Sequence, residues 1–386
     1  MEARSQQSIG IGLLGTSFMG RAHSRALAAL RSLEDEPRAL PVMQAICGRD
    51  PGRLASIQRR YGWERALTDW RELVGDRSVQ IFDNAAPNDL HAEPTIAAAL
   101  SGKHVICEKP LGRNASEAQA MLEAAESAGV VHMCGFNYRF FPAVRLARDL
   151  IAAGEIGEPR QFRSRFLLGT GAVPHSDETA WRLRRESAGS GVVGDLLAHH
   201  VDLARYLIGE VDSVGASTRT WQAKRSGVEV EVEDSVVCVA EFDGGAVGTL
   251  EAARLLAGHV LESVVEVDGS RGSIRFDVQR LNELTISDPS GAKTINVTEA
   301  HHPYIELWWP RGQGIGWGDS FVHELRHFFG AVAGAWSVAP HGATFFDGLR
   351  CAEVCDAVLA AAESGRRELV EYRRTGNERE VNDRQA

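Results

Sequence analysis

The sequence predicts a protein of two domains, in which a doubly wound parallel α/β sheet precedes an α+β domain with a mostly antiparallel sheet. The chain has 386 residues, which is long for a single domain. Short apolar runs alternate with helical segments over residues 8–135, a pattern typical of parallel sheets. Between about 158 and 300 the strands become longer and alternate apolar with polar residues. We therefore place the domains at 1–135 and 136–375, and we expect a polar, frayed tail at 376–386.

In the first domain, most short apolar strands are followed by a helical segment. Asn114 and Glu117 have the spacing of a capping box, which predicts the start of the last helix. The predicted strands are 9–14, 42–47, 79–82, 104–107 and 130–134, and the predicted helices are 21–33, 51–61, 94–99 and 115–128.

In the second domain, glycine-containing turns separate alternating strands, and Asp243-Gly244-Gly245 is the turn signal of a hairpin. A helix interrupts this sheet, and a long amphipathic helix ends the domain. The predicted strands are 161–168, 213–221, 235–242, 246–253, 262–267 and 273–276, and the predicted helices are 195–208 and 348–363.

Composition narrows the class of protein. A formal net charge of −10 makes a nucleic-acid partner a poor expectation, because a broad basic face would be hard to assemble. We identify neither a secretory signal nor a run of the ~18–20 apolar residues that cross a membrane. The six cysteines show no framework spacing, which favours reduced thiols in a cytoplasmic protein.

A glycine-rich turn over residues 12–20 follows the first strand and precedes the first helix. Backbone N–H groups and the helix dipole at such a turn can bind a pyrophosphate. Gly15 and Gly20 match the G-x-G-x-x-G pattern, but Ser17 stands where the second glycine is expected. Taken alone, the turn is either a cofactor site or a helix-packing turn.

The end of the second strand bears on the choice of dinucleotide. Gly48 stands where an acid would bind the adenine ribose, and Arg49 follows it. A guanidinium in place of a carboxylate can accommodate a 2′-phosphate, which favours NADP over NAD. Asp50 could still serve the ribose, and Arg49 could merely be solvated.

Lys109 is one of only four lysines and follows a strand at the carboxyl edge of the parallel sheet, where cofactor chemistry takes place. Pro110 restricts the backbone of the lysine and is a candidate for a cis peptide bond. Hydride removal from an alcohol needs a base for the proton and a cation for the developing alkoxide. We predict that Lys109 supplies the cation rather than acting as an ordinary surface lysine.

Asp195 and His199 are four residues apart, so on an α-helix they share one face. A carboxylate beside an imidazole can orient it and raise its basicity for proton abstraction. The alternative for this pair alone is a helix cap with a packed histidine. His200 is expected on a different face, in a structural role.

Taken together, these motifs resemble the glucose–fructose oxidoreductase/inositol dehydrogenase/MocA (Gfo/Idh/MocA) family over about residues 8–365. The resemblance is carried by residues 15–20, Pro87-Asn88-Asp89-Leu90-His91, Glu108-Lys109-Pro110, Phe136-Asn137-Tyr138-Arg139, Trp181-Arg182 and Asp195-x-x-x-His199. It implies an N-terminal Rossmann domain and a C-terminal domain whose large open sheet often forms the subunit interface, hence a homodimer or homotetramer. It also implies NAD(P)-dependent oxidation or reduction of sugars and cyclitols.

The same resemblance implies roles for individual residues. Lys109 contacts the reacting hydroxyl, His199 is the acid/base, and Asp195 supports His199 and binds the neighbouring hydroxyl. Tyr138 and Trp181 complete the expected substrate site. The expected cofactor-binding residues are Gly15, Thr16, Ser17, Phe18, Met19, Gly20, Arg49, Ala86, Asn88, His91, Glu108, Lys109, Asn137 and Arg182.

Within the family, residues 188–191, 280–284 and 302–310 resemble most the levoglucosan dehydrogenase-like sugar 3-dehydrogenases. Those enzymes are NAD-linked, and Gly48-Arg49 departs from that pattern. Ala198 likewise replaces the glycine or small polar residue common before the histidine.

Two further signals carry less weight. His323 and His327 match the H-E-x-x-H zinc motif, but no third ligand is evident, so we expect no metal and place them on a helix near the domain interface. The Trp-rich segment 304–320 could stack on a sugar, cover a site or pack an interface.

The leading hypothesis is a nicotinamide-dependent dehydrogenase of a secondary hydroxyl on a sugar, anhydrosugar, glycoside or cyclitol. The rivals are an NADPH-dependent keto-sugar reductase, a sensor of cofactor or sugar without turnover, and a metal-dependent hydrolase using His323 and His327.

Overall fold

A computed structural model describes residues 7–33, 39–169, 180–225, 227–308 and 310–373, and its first half is built on six parallel strands. These are β1 (Gln7–Leu14), β2 (Ala39–Cys47), β3 (Arg65–Leu67), β4 (Ile81–Asn84), β5 (His104–Glu108) and β6 (His132–Gly135). The order is β3-β2-β1-β4-β5-β6. The strand order reverses between β1 and β4, and in such sheets ligands bind beyond the carboxyl ends of the strands at that point.

Five helices belong to this half of the chain: α1 (Phe18–Ala29), α2 (Pro51–Tyr61), α3 (Trp70–Gly75), α4 (Ala92–Leu100) and α5 (Ala115–Ser127). The central strands are buried nearly throughout, which explains why they appear in the sequence as continuous apolar runs. Helix α1 ends earlier than predicted, because a 3₁₀ turn occupies Leu30–Ser32.

The second half is built on a nine-stranded sheet in the order β16-β15-β14-β13-β7-β12-β11-β8-β17. Its strands are β7 (Pro159–Leu168), β8 (Val211–Arg219), β11 (Ser235–Phe242), β12 (Val247–Ala253), β13 (Leu261–Gly269), β14 (Ser273–Asp277), β15 (Glu283–Asp288), β16 (Gly291–Asn296) and β17 (Glu368–Leu369). A separate ribbon pairs β9 (Lys224–Arg225) with β10 (Val228–Glu229). The strands are antiparallel neighbours except β7 and β12, which run parallel.

Five more helices follow the first half: α6 (Pro142–Ala152), α7 (Arg185–Ala188), α8 (Ala198–Leu207), α9 (Asp319–Val332) and α10 (Phe345–Ser364). Helix α10 packs against α5, α8 and β8, and α9 packs against α1, so both helices join the two halves. Residues of β11 alternate between buried and exposed, and the exposed face carries Val237, Val239 and, on β12, Val247. No helix of the described residues is long and apolar enough to cross a membrane, and all six cysteines are buried thiols.

The predicted fold class is confirmed, including a second sheet that is mostly antiparallel. The second sheet is mixed at β7–β12. The strand β3, the hairpin β15–β16 and the helices α3 and α6 were not predicted. Helix α9 is the helix expected for His323 and His327, and it packs against α1. Asn114 caps α5, but the Glu117 carboxylate accepts from the N–H of Arg113 rather than that of Asn114, so the capping box is only half formed. The complete capping box lies at Thr344, before α10. The division of the chain at residue 135 stays a prediction, and the predicted tail lies outside the described residues.

Candidate active site

A cavity of about 830 Å³ opens at the carboxyl ends of β1, β4 and β5, where the parallel sheet faces the second sheet. Most of the predicted site residues lie in its wall. These are Ser17, Phe18, Met19, Ala86, Asn88, His91, Glu108, Lys109, Asn137, Tyr138, Trp181, Arg182, Asp195 and His199. The predicted residues outside the wall are Gly15, Thr16, Gly20 and Arg49.

The glycine turn packs so closely against neighbouring backbone that Gly15 and Gly20 leave no room for a Cβ. Gly15 has φ +126°, and a Cβ there would lie 2.4 Å from the carbonyl oxygen of Ala85. A Cβ on Gly20 would lie 2.1 Å from the carbonyl oxygen of Gly15. Ser17 is the N-cap of α1 and makes no capping hydrogen bond with its side chain. The hydroxyl and the first N–H groups of α1 are therefore available to an anion.

The end of β2 gives Gly48 a packing role that sequence reasoning missed. A Cβ at this position would lie 2.6 Å from Cγ2 of Thr16, so glycine is required for close contact with the turn. The side chain of Arg49 is exposed and lies outside the cavity wall, whereas Arg53 lines the cavity. The Asp50 carboxylate caps α2 by accepting from the N–H of Arg53 at 2.9 Å, and this hydrogen bond lowers the pKa of Asp50.

The loop after β4 is braced by a buried histidine. His91 places Nδ1 2.8 Å from the carbonyl oxygen of Pro110 and Nε2 3.0 Å from that of Ala86. Burial lowers the pKa of His91. Asn88 donates to the carbonyl oxygen of Ala188 at 2.9 Å, so this loop also contacts the second half of the chain. The neutral ring of His91 has one N–H to donate, so it makes a hydrogen bond with one of the oxygens of Pro110 and Ala86 and packs against the other loop.

Glu108 belongs to a buried network that the sequence did not predict. Its Oε1 lies 3.0 Å from Nε2 of His23, whose Nδ1 lies 2.9 Å from Asp83. Burial opposes a charge on His23, but Asp83 and Glu108 outweigh that effect and raise the pKa of His23 well above its ordinary value. The imidazolium between two carboxylates fixes the orientation of Glu108 at the cavity wall.

Lys109 and Asp195 meet across the cavity although 86 residues separate them. Nζ of Lys109 donates to the backbone oxygen of Asp195 at 2.7 Å and to its Oδ1 at 3.1 Å. The Lys109–Pro110 peptide is cis. Oδ2 of Asp195 accepts from Arg254 at 2.7 Å. Burial opposes the charge of Asp195, but Lys109, Arg254 and Arg182 hold the pKa of its carboxyl well below the usual range.

Asp195 and His199 lie in one cavity but are not joined by a carboxylate–imidazole hydrogen bond. Residues Val193–Leu197 form a π-helical turn, and α8 begins only at Ala198. Within the described residues, no hydrogen bond joins the Asp195 carboxylate to His199, whose Nδ1 is buried without a partner. The His199 ring stacks on Tyr138 with centroids 4.4 Å apart. Burial, and then Lys109, lowers the pKa of His199 well below its ordinary value.

The neighbours of this helix follow the sequence prediction. Buried His200 contacts Ser263 at 2.9 Å, in a structural position. The π-helical turn supplies the local geometry that brings Asp195 towards Lys109 and leaves His199 on the aromatic face of Tyr138. Such turns are frequently found at functional sites.

Aromatic side chains form two walls of the cavity. Trp181 carries the guanidinium of Arg182 at 4.5 Å from its ring. Trp317 stacks on Phe18 with centroids 5.6 Å apart and contacts Phe321 edge-on. Of the Trp-rich segment, Trp317 therefore reaches the cavity of its own chain, while Trp309 lies outside the described residues.

The H-E-x-x-H residues are engaged in packing. His323 accepts from the indole of Trp308 at Nε2, 2.7 Å away, and its Nδ1 lies 2.9 Å from the oxygen of Phe140. Nε2 of His327 lies 2.8 Å from the oxygen of Val338. Both nitrogens of His323 are thus occupied. Over the described ranges, no group of three or more histidine, cysteine or acidic residues is arranged to hold a metal ion.

His23, Arg53 and Arg254 are among the residues of this region that sequence reasoning missed. Arg254 had a usable signal, since it follows an apolar strand directly, as Lys109 does. Trp317 lay in a segment whose role was left open. His23 looks in the sequence like any polar residue on a helix, so only its buried contacts identify it.

The residues that line the cavity fit a nicotinamide dinucleotide. The N-terminus of α1 faces the cavity through Ser17, Phe18 and Met19, and Glu108 presents a fixed carboxylate that can accept from hydroxyl groups. The opposite end holds a lysine, a carboxylate and a neutral imidazole. This arrangement can bind a polar alcohol, remove its proton and stabilise the oxygen anion that forms.

Comparison with known proteins confirms the family resemblance. A model of an oxidoreductase family with an NAD-binding Rossmann fold (GFO_IDH_MocA) matches residues 9–136, and the GFO/IDH/MocA C-terminal domain matches residues 144–275. The chain is 39% identical to levoglucosan dehydrogenase of Pseudarthrobacter phenanthrenivorans, over 92% of this chain and 96% of that protein. It is 28% identical to myo-inositol 2-dehydrogenase of Thermotoga maritima, over 82% and 86%.

The fold agrees with solved structures. One is levoglucosan dehydrogenase in complex with NADH and levoglucosan, at 40% identity and a TM-score of 0.90, covering 95% of this chain and all of that one. An oxidoreductase domain protein from Kribbella flavida has 37% identity and the same TM-score and coverage.

Proposed function

The chain belongs to the GFO/IDH/MocA oxidoreductase family, and on that premise we propose that it oxidises a secondary hydroxyl of a sugar, anhydrosugar, glycoside or cyclitol. The observation that carries the proposal is the meeting of Lys109, Asp195 and His199 in one cavity with the glycine turn. The similarity to dehydrogenases of levoglucosan and myo-inositol supports this substrate class. A bound nicotinamide would supply the hydride acceptor that the oxidation requires.

His199 is the base in this proposal. Its lowered pKa keeps the imidazole neutral near pH 7, so a ring nitrogen is free to take a proton. Nδ1 is buried without a partner, which leaves Nε2 as the nitrogen that accepts the hydroxyl proton. Tyr138 holds the plane of the ring by stacking. In the reverse direction, the protonated ring returns the proton to the oxygen of the ketone.

Lys109 stabilises the oxygen from which that proton leaves. Its ammonium is fixed by two contacts to Asp195 and has a further N–H for the substrate oxygen. Asp195 is permanently ionised, so it can accept from the neighbouring hydroxyl of a sugar or cyclitol. Trp181 and Trp317 offer flat apolar faces on which a sugar ring can pack.

For the adenosine end, we assign a preference for NADP over NAD. It is supported by the lack of a carboxylate at Gly48 and by Arg53 in the cavity wall, with Arg49 exposed nearby. The test is kcat/KM with NADP⁺ and with NAD⁺ in wild type and in Arg53→Gln and Arg49→Gln. We expect Arg53→Gln to lower the NADP⁺ value about tenfold and to leave the NAD⁺ value nearly unchanged. A wild-type preference for NAD⁺ would refute this assignment.

A second copy of the chain is the proposed partner, in a homodimer or homotetramer through the nine-stranded sheet. The exposed Val237, Val239 and Val247 on one sheet face support it. Light scattering at micromolar concentration tests it, with Val239→Glu expected to lower the molecular mass. A monomeric wild type would refute it.

The test of the reaction is the initial rate of reduced-nicotinamide formation with levoglucosan, glucose, a glucoside and myo-inositol, each with NAD⁺ and NADP⁺. Turnover of at least one of the four is expected, and product analysis identifies the carbon oxidised. Reduction of keto-sugars without any oxidation of the panel would favour the reductase alternative. Cofactor binding without turnover in either direction would refute a catalytic role.

A further inference from the structure

We propose that Arg254 is a positioning residue of this active site: it holds one oxygen of Asp195 and thereby leaves Lys109 with charge available to the reacting oxygen. The inference rests on the proposed function, in which Lys109 stabilises that oxygen. It adds to the Lys109, Asp195 and His199 set a side chain from the end of a strand in the second sheet.

The position of Arg254 is fixed by the backbone on both sides of the contact. It follows β12 directly, and its N–H donates to the oxygen of Asp234 at 2.8 Å. The adjacent Glu233 accepts from the N–H groups of Gly191 and Val193, at 2.7 and 2.9 Å, where the π-helical turn begins. Consecutive residues therefore hold both Arg254 and the turn that carries Asp195.

The side chain of Arg254 has little freedom. It is only 2% exposed, and Nη2 reaches Oδ2 of Asp195 at 2.7 Å. That distance is typical of a charge-assisted hydrogen bond. Asp195 itself keeps 34% of its side-chain surface open to the cavity, so the pair lies at the cavity wall and not in the core.

Each oxygen of Asp195 has its own cation. Oδ1 lies 3.1 Å from Lys109 and Oδ2 lies 2.7 Å from Arg254, so one carboxylate is shared between two positive charges. The guanidinium of Arg182 adds a third cation nearby. Glu233 is a second carboxylate within electrostatic reach of Arg254. The hydrogen bond of the Arg254 guanidinium is nevertheless made with Asp195, whose charge Lys109 alone would balance.

The local surplus of positive charge has a chemical use. Burying a cation without a matching anion costs free energy of folding. Active sites contain such cations where negative charge develops on the substrate in the transition state. Here the developing charge is the substrate oxygen that loses its proton to His199. If Arg254 were lost, Asp195 would compensate Lys109 fully, and the reacting oxygen would meet a neutralised ion pair.

The experiment compares Arg254→Met with wild type on the best substrate of the four-sugar panel, at saturating substrate and cofactor. We expect kcat to fall on the order of 100-fold, the loss typical of one preorganised donor. Dinucleotide affinity, measured by fluorescence titration with NADPH and NADH, should stay within about twofold, because the hydrogen bonds of Arg254 are with Asp195 and Asp234.

Arg205→Met is the matched control. Arg205 is also buried and paired, with Glu210 at 2.6 Å, and it lies on the same helix as His199 but outside the cavity wall. This variant should lose stability and keep kcat within about twofold. An equal fall of kcat in both variants would show that Arg254 acts only through stability, which overturns the inference.

Chemical rescue gives a readout that a purely structural role would not move. Millimolar guanidinium should raise kcat of Arg254→Ala several-fold and leave wild type and Arg205→Ala unchanged. If Arg254→Met and Arg254→Ala do not fold, Arg254→Lys is the deciding variant. We expect its kcat to be roughly tenfold lower than that of wild type, with an unchanged KM for the cofactor. A kcat equal to that of wild type would overturn the inference. An inactive wild type would refute the proposed function itself, so the two failures are distinguishable.

Discussion

Replacement of Lys109 by methionine tests the centre of the proposed mechanism, and its effect can be worked out from the contact geometry. The ammonium makes a hydrogen-bonded contact of 3.1 Å with Oδ1 of Asp195, and a substrate oxygen would meet it at a similar distance. At an effective dielectric constant of about 20, two unit charges at that distance attract by roughly 5 kcal/mol. If about half a charge has developed on the oxygen in the transition state, the loss is roughly 2.7 kcal/mol, or about 100-fold in kcat.

The assay is kcat of Lys109→Met at saturating cofactor, with substrate protonated or deuterated at the reacting carbon. The isotope effect should rise, because the chemical step becomes slower relative to product release. The matched control is Lys103→Met, which removes another buried ammonium. Lys103 contacts the oxygens of Asp76 and Val79 at 2.7 Å and lies outside the cavity wall. A kcat of Lys109→Met within about threefold of wild type, or an equal loss in Lys103→Met, would refute the reasoning.

Three further predictions follow from the same contacts. Because the pKa of His199 is lowered, the protonated imidazole becomes populated only well below the ordinary pKa of histidine. We therefore expect kcat/KM for oxidation to stay constant from pH 8 to about pH 6.5. A fall of kcat/KM with an apparent pKa near 6.5 would contradict this. His23→Gln leaves buried carboxylates such as Asp83 unpaired and should lower the free energy of unfolding by about 3–5 kcal/mol. Since the folded-state pKa of His23 is raised, this stabilisation is fully present below its unfolded pKa and is lost as pH rises through the folded pKa. Urea unfolding should therefore show that the difference in unfolding free energy between wild type and His23→Gln becomes smaller at high pH. A difference that stays constant with pH would contradict this prediction. Trp317→Ala should raise the KM for sugar about tenfold with little change in kcat, whereas exposed Trp221→Ala should change neither.

The glycine turn shows how far sequence reasoning reached and where it stopped. Its position between β1 and α1 was predictable, because an apolar run, glycines and a helical period follow each other within twenty residues. The reason for Gly48 was not, since its contact with Thr16 joins two strand ends that are distant in the sequence. The prediction that Arg49 contacts the dinucleotide stays a prediction, because its side chain is exposed and lies outside the cavity wall. In the structure, Arg53 lines the cavity instead.

The Asp195–His199 spacing is a second such case. Four residues place both side chains near one face in an α-helical or a π-helical turn, but periodicity does not show whether the carboxylate reaches the imidazole. The π-helical turn at Val193–Leu197 is held by Glu233, about 40 residues later in the chain. The sequence located both residues, and a distant contact decided how they point.

By itself, the sequence determined the order of strands and helices in the first half, the change to alternating strands in the second, and the candidate residues Lys109, Asp195 and His199. These features depend on local periodicity and on residue chemistry, which neighbours along the chain express. Only the tertiary structure decided that Arg254 shares Asp195 with Lys109, that His23 fixes Glu108, and that Trp317 lines the cavity. Those contacts join residues at least 59 positions apart in the sequence, and their geometry depends on how the two sheets and α9 pack together.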